Sequence, residues 1–144
     1  ADVGADFARS DNDQRHRVSL SGLTDVRGWM FSWVYARASA APFNVQTGGD
    51  RNHDTNANDR PPGVGRNSAR GFDAATLDVR IGRRFSIGQA GLEVSVDAFN
   101  VLNRTNLLFP NSTFGQGAVP LPAFGRATAA GDPRQLQLGF RVDF

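Results

Sequence analysis

The sequence lacks two residue types, cysteine and lysine, on which many enzymes and secreted scaffolds depend. It has no cysteine in 144 residues, which excludes disulfide frameworks, thiolate metal sites and cysteine nucleophiles. It also has no lysine, so all sixteen basic side chains are arginine, against thirteen aspartates and one glutamate. Because the net charge is only +2, the high pI reflects arginine and does not favour nucleic acid as a partner.

Long apolar runs are absent as well. None approaches the roughly 18 residues of a membrane-spanning helix, and helical periodicity is nearly missing. Residues 1–10 do not resemble a signal peptide, and the chain does not begin with methionine. We therefore expect a piece cut or processed from a longer protein.

What the sequence does contain is alternation of apolar and polar residues with a period of two. It recurs in five stretches, which predict an all-β fold of antiparallel, up-and-down strands. Each covers about eleven residues, close to the 9–11 of a tilted strand that crosses a bilayer. The predicted strands are 15–25, 29–39, 76–86, 92–102 and 134–144.

The predicted connections alternate in length. Residues 25–28 and 87–90 form tight turns, whereas 40–75 and 103–133 are long loops rich in Gly, Asn, Pro and Asp. Tight turns at one end and long loops at the other are typical of an outer-membrane barrel, with the long loops extracellular. A soluble β-sandwich used for adhesion gives the same alternation inside out, and a passive porin shares the barrel layout.

Strand register follows if paired residues must share a face. Folding about residues 87–90 predicts Arg84 opposite Glu93 and Arg80 opposite Asp97, two pairs of opposite charge on a face expected to line the barrel lumen. Arg83 then lies beside Val94 on the apolar face, where its side chain can extend to a membrane interface.

The first hairpin is predicted to carry aromatic residues at the membrane interface. Folding about residues 25–28 pairs Gly22 with Phe31, Leu20 with Trp33 and Val18 with Tyr35. We expect Trp29, Trp33 and Tyr35 to form part of an aromatic girdle on the outer face.

The last eight residues, QLGFRVDF, resemble the C-terminal signal that the barrel-assembly machinery recognises in outer-membrane proteins. The matching positions are a polar Gln137, then Gly139, an apolar Val142 and a terminal aromatic Phe144. A strand edge with free backbone donors and acceptors is what such strand addition requires.

Nearly the whole chain resembles the C-terminal barrel of TonB-dependent outer-membrane receptors, in particular the Oar-like group with a carboxypeptidase-regulatory-like N-terminal domain. The resembling stretches are DQRHRVSLSG (13–22), NDRPPGVGRNSARG (58–71), LDVRIGRRF (77–85), DAFNVLNRTN (97–106) and AAGDPRQLQLGFRVDF (129–144).

The resemblance implies a barrel of 22 strands around an N-terminal plug that engages TonB, and energy-coupled uptake of an extracellular ligand. This chain is then expected to supply only the last five strands or so, in contact with outer-membrane lipid. The plug and the TonB-binding segment belong to upstream regions.

One acidic stretch raises the question of a metal. GDRNHDTNANDR places Asp50, Asn52, Asp54, Asn56 and Asp59 at close spacing, and such oxygen donors suit Ca²⁺. The stretch departs from an EF-hand loop, since Thr55 stands where glycine is needed and no glutamate closes it. A solvated loop is the alternative, and calorimetry with and without calcium distinguishes the two.

The sequence offers no catalytic constellation. It has no nucleophile elbow and no acid and base pair, so we do not expect an enzyme. Phe109, Phe114 and Phe124 in the second long loop either pack that loop onto the barrel or contact substrate, and packing is the favoured interpretation.

Overall fold

Five long strands form one antiparallel sheet, which confirms the predicted all-β class. The computed structural model describes residue 4 and residues 7–144. Its strands are β1 (Arg17–Val26), β2 (Trp29–Ala38), β3 (Pro42–Phe43), β4 (Ala69–Arg70), β5 (Ala74–Ile87), β6 (Ala90–Phe99), β7 (Leu107–Pro110), β8 (Ala127–Ala130) and β9 (Gln135–Asp143). The large sheet has the order β1-β2-β5-β6-β9. Each long strand therefore lies beside the long strand that comes next in the sequence.

The chain divides into two units. The strand unit comprises Arg17–Ala38, Ala75–Asn106 and Asp132–Phe144, and it contains the large sheet. The loop unit comprises the described residues up to His16, together with Ser39–Ala74 and Leu107–Gly131. Among the described residues, no helix is long and apolar enough to cross a membrane.

The hairpin of β5 and β6 has the predicted register. Ile87 pairs with Ala90, and the two-residue turn between them begins with Gly88 at φ 62°. A positive φ at that first position is typical of a type II′ turn, which glycine adopts without strain. Arg80 consequently lies opposite Asp97, and Arg84 opposite Glu93.

The predicted register of the first hairpin is wrong by two residues. Gly22 pairs with Trp33 and Leu20 with Tyr35, because the turn lies between Val26 and Trp29 instead of starting at Asp25. Arg27 and Gly28 take φ values of 54° and 78°, as a type I′ turn requires at both central positions. A shift of two keeps every residue on its predicted face.

The other strand limits differ from the prediction at one point in particular. β6 ends at Phe99 and not at residue 102. Asn100 leaves the extended conformation with φ 47°, and its backbone N–H donates a hydrogen bond of 2.8 Å to Asp78 Oδ1. Asparagine tolerates this left-handed conformation better than most residues, which explains the stop.

The long loops are more ordered than the prediction of plain loops implied. Within the loop unit, β3 pairs with β4 and β7 pairs with β8. Gln46 also forms a parallel bridge to Thr113, so residues from both predicted loops hydrogen-bond to each other. Val45, Thr47 and Asn67 are buried there.

Candidate functional site

The polar face of β5, β6 and β9 carries side chains of both charges in register across three strands. One row contains Arg84, Glu93 and Arg141, and another contains Arg80, Asp97 and Gln137. Because residues of one row point to the same face and are direct cross-strand neighbours, their charges can pair. The row between these two consists of Gly82, Ser95 and Gly139, which are small.

Arg80 is the centre of this charged surface. Its guanidinium lies 3.5 Å from Asp97 Oδ1 and 3.8 Å from Glu93 Oε1, and it donates a 3.2 Å hydrogen bond to Ser95 Oγ. The Asp97 side chain is 13% exposed, so the pair is partly shielded from water. The predicted contact between Arg80 and Asp97 is therefore present, and Glu93 joins it.

Arg84 reaches a partner that sequence reasoning missed. Although it lies opposite Glu93 in register, its guanidinium forms an ion pair of 3.1 Å with Asp143 Oδ2 on β9. Arg141 Nε donates to the other oxygen of Asp143 at 3.0 Å. The sequence could have indicated this contact, since Asp143 lies two residues after Arg141 and therefore on the same polar face of the last strand.

A small groove follows this surface. It has a volume of about 180 Å³ and is lined by Arg80, Glu93, Ser95, Gly139, Phe140 and Arg141. Gly139 shapes its floor, because a Cβ atom there would lie 2.6 Å from Ser95 Oγ. Of the predicted assembly-signal residues, Gln137 and Gly139 lie on this polar face, whereas Val142 pairs with Leu92 on the apolar one.

The opposite face of the same strands is apolar and unusually open. Leu136, Leu138 and Phe140 are 75%, 66% and 70% exposed, and Phe144 at the chain end is fully exposed. A water-soluble domain rarely leaves a continuous apolar face of this size uncovered. This face requires either lipid or another protein surface to cover it.

The predicted girdle residues lie on the apolar face of β2. Trp33 covers Gly22, and a Cβ atom at Gly22 would lie 2.5 Å from Trp33 Nε1. Trp29 and Trp33 are each 41% exposed, whereas Tyr35 is half-buried. Trp29 also contacts Arg83, whose guanidinium lies 5.1 Å from the centre of its ring.

The loop unit holds a separate polar cleft of about 390 Å³. Its lining residues are Asn44, Gln46, Asn52, Asn58, Asp59, Arg60 and Arg66. Amide groups dominate the lining, and each offers both donors and acceptors to a ligand. The sequence offers no signal for Asn44, Gln46 and Asn58 as lining residues, because no spacing pattern relates residues 44 and 46 to residue 58.

The proposed calcium residues hydrogen-bond to their own loop. Asp50 accepts from the backbone N–H groups of Asp54 and Thr55, at 3.0 and 2.8 Å, and Asp59 accepts from that of Asn52 at 3.0 Å. Hydrogen bonds from the Asn56 backbone and the Asn52 side chain hold the pKa of Asp54 below its ordinary value. Within the described residues no group of three or more His, Asp or Glu side chains is arranged to hold a metal ion. Calcium binding stays a prediction.

Two of the three loop phenylalanines pack, and one does not. The rings of Phe114 and Phe124 meet edge to face with centres 5.3 Å apart, and Phe43 lies 6.3 Å from Phe124. Phe109 is 70% exposed. Phe114 and Phe124 thus pack against each other within the loop unit, whereas Phe109 does not pack, and packing of this loop onto the barrel stays a prediction.

These features define an all-β membrane-barrel sheet, with one charged and one apolar face, short turns and long ordered loops. A family model described as "Outer membrane beta barrel domain" matches residues 62–137, more than half of the chain. The chain belongs to this outer-membrane β-barrel family. No curated protein and no solved structure matched it.

Proposed function

We propose that this chain is the C-terminal barrel segment of a TonB-dependent outer-membrane receptor that takes up an extracellular ligand. The observation that carries the proposal is the three-strand charged surface around Arg80, on strands whose other face is apolar. Charges of this kind are accommodated in a hydrated lumen or against a plug, whereas the apolar face is suited to lipid. The resemblance to Oar-like receptors supports the same function.

Ligand binding is assigned to the loop unit. Its polar cleft of about 390 Å³ lies among residues of the long connections, which are extracellular in this proposal. The strand β9 would serve first as the recognition strand of the barrel-assembly machinery, through its free edge.

TonB coupling separates this proposal from a passive porin. We would purify the full-length protein from outer membranes and measure two quantities, its binding to the periplasmic domain of TonB and its conductance in planar bilayers. A plugged receptor binds TonB and gives no steady conductance. Steady ohmic conductance without TonB binding would establish the porin instead.

A further inference from the structure

Arg83 is out of place on its face of the sheet. Of the residues that β5, β6 and β9 present on their apolar face, all within the described part of the chain, it is the one charged side chain. Its row contains Val94 and Phe140, and the rows on either side are apolar throughout. A buried partner or an external one must compensate this charge.

Its contacts within the protein are aromatic rings. The Arg83 guanidinium lies 5.1 Å from the ring centre of Trp29 and 5.2 Å from that of Phe85. Among the described residues it has no carboxylate partner and no side-chain hydrogen bond. Rings orient the plane of a guanidinium and leave its five N–H donors unused.

The aromatic contact also fixes the level of the guanidinium along the strands. Trp29 pairs with Val26 in the last pair before the turn of the first hairpin. The Arg83 side chain therefore reaches toward the tight-turn end of the sheet. In a barrel the tight turns lie at a membrane surface, where lipid phosphate groups are found.

We propose that Arg83, held between Trp29 and Phe85, binds the phosphate of an anionic glycerophospholipid at the tight-turn end of the barrel. Two parallel N–H groups of a guanidinium match two phosphate oxygens, and the rings keep that edge directed outward. The acyl chains then lie along the apolar rows of β6 and β9. This site rests on the lipid-facing orientation given under Proposed function.

The test uses the full-length protein folded in phosphatidylcholine nanodiscs that contain a photoreactive phosphatidylglycerol. One analogue carries the reactive group on its glycerol headgroup, and the other carries it within an acyl chain. We expect headgroup adducts on Trp29, Arg83 or Phe85, and acyl-chain adducts near Leu138. Arg83→Gln should lower the headgroup adducts about tenfold, as loss of a charge-assisted contact implies.

Arg84→Gln is the matched control, because it removes the same charge one residue away on the opposite face. It should leave the headgroup adducts unchanged, and heat-dependent gel migration shows whether each variant has folded. Should Arg83→Gln not fold, the adduct map of the unaltered protein decides alone.

Two different failures are distinguishable. Acyl-chain adducts without headgroup adducts at Arg83 would overturn the lipid site while leaving the orientation intact. Absence of acyl-chain adducts from the apolar face would overturn the orientation itself. Loss of the headgroup adducts when unlabelled lipopolysaccharide is added, but not when unlabelled phosphatidylglycerol is added, would also contradict the site as proposed.

Discussion

Different interactions stabilise the strand unit and the loop unit. In the strand unit, backbone pairing fixes five strands, while the apolar side chains of β9 remain mostly exposed. In the loop unit, side chains reach the backbone over long separations, as when the Asn67 amide donates to the Arg9 carbonyl at 2.7 Å. The apolar face of the strand unit needs lipid or another protein to cover it. The loop unit, by contrast, buries some of its own polar side chains, such as Thr47 and Asn67.

This difference follows from where each unit can satisfy its polar groups. A membrane offers no hydrogen-bond partners to the backbone, so a barrel strand must pair along its whole length. The backbone of a loop in water can hydrogen-bond to water along its whole length. Such a loop becomes ordered only where specific side chains compete with water for its backbone groups. Asn67 is such a side chain, since it is 2% exposed and also donates to Asp11.

The largest expected effect breaks the apolar face. Leu138→Arg places a charge near the middle of β9, opposite Val96, and should cost about 2–4 kcal/mol of unfolding free energy in lipid vesicles. Gln137→Arg, the neighbour on the polar face opposite Asp97, should cost less than about 0.5 kcal/mol. Guanidinium unfolding of the full-length protein measures both, and equal losses would contradict the assignment of faces.

Asn67→Ala tests the loop unit separately. It removes two buried hydrogen bonds at a residue with φ 52°, so local stability should fall by about 2 kcal/mol. Hydrogen exchange should accelerate near Asn44 and Val45 and stay unchanged in β6. The exposed Asn58→Ala is the control. Equally faster exchange in β6 and near Asn44 would show that the two units do not respond separately.

Gly22→Ala tests packing on the outer face of the strand unit. The new Cβ would displace the Trp33 ring, at a cost of about 1–2 kcal/mol. Gly82→Ala should be milder, because its Cβ would meet its nearest neighbour at an ordinary 3.6 Å. Adding Trp33→Leu to Gly22→Ala should recover most of the loss. A double variant as unstable as the sum of its parts would rule out this contact as the cause.

The ion pair of Arg80 and Asp97 should contribute less. Because the Arg80 side chain is 51% exposed, a double-mutant cycle with Arg80→Gln and Asp97→Asn should give a coupling of about 0.5–1 kcal/mol, which falls at high salt. The exposed Arg134→Gln with Asp97→Asn should give no coupling. A salt-independent coupling would indicate burial of the pair in the assembled barrel.

The smallest effect concerns pH in the loop unit. The pKa of Asp54 is lowered by hydrogen bonds that its carboxylate accepts from the Asn56 backbone and the Asn52 side chain. A lowered folded-state pKa contributes stability above the ordinary carboxyl pKa, and the contribution is lost as the pH falls through the lowered value. Carbon NMR of the Asp54 carboxyl group as a function of pH measures this pKa. Titration at or above the ordinary value would show that these hydrogen bonds do not form.

Much of the strand unit could be predicted, because its apolar and polar residues alternate with a period of two and opposite charges face each other across the hairpin of β5 and β6. Alternation assigns every residue of β5, β6 and β9 to a face, and folding about residues 87–90 gives a register that the opposite charges of Arg80 and Asp97 support. The first hairpin has no such charge pair. In its turn Arg27 adopts a left-handed conformation, which arginine as a residue type does not indicate. The predicted turn is therefore misplaced by one residue, and the predicted register by two.

The loop unit resisted prediction for a different reason. Its contacts join residues far apart in the chain, such as Asn67 with Asn44 and Arg9, and no periodicity relates them. The composition of Gly, Asn and Pro indicated loops correctly. It carried no information about which asparagine becomes buried, and so none about the residues that line the polar cleft.

In the membrane we expect the apolar face of β9 to contact lipid and its polar face to contact water. Since this chain has no cysteine, a spin label can be attached at single cysteines placed in turn at residues 136–143 of the full-length protein in bilayers, after any cysteine outside the chain has been replaced by serine. We predict high collision rates with oxygen at Leu136, Leu138, Phe140 and Val142, and with an aqueous nickel reagent at the four residues between and beyond them. Equal aqueous access at all eight positions, or the opposite phase, would contradict the account.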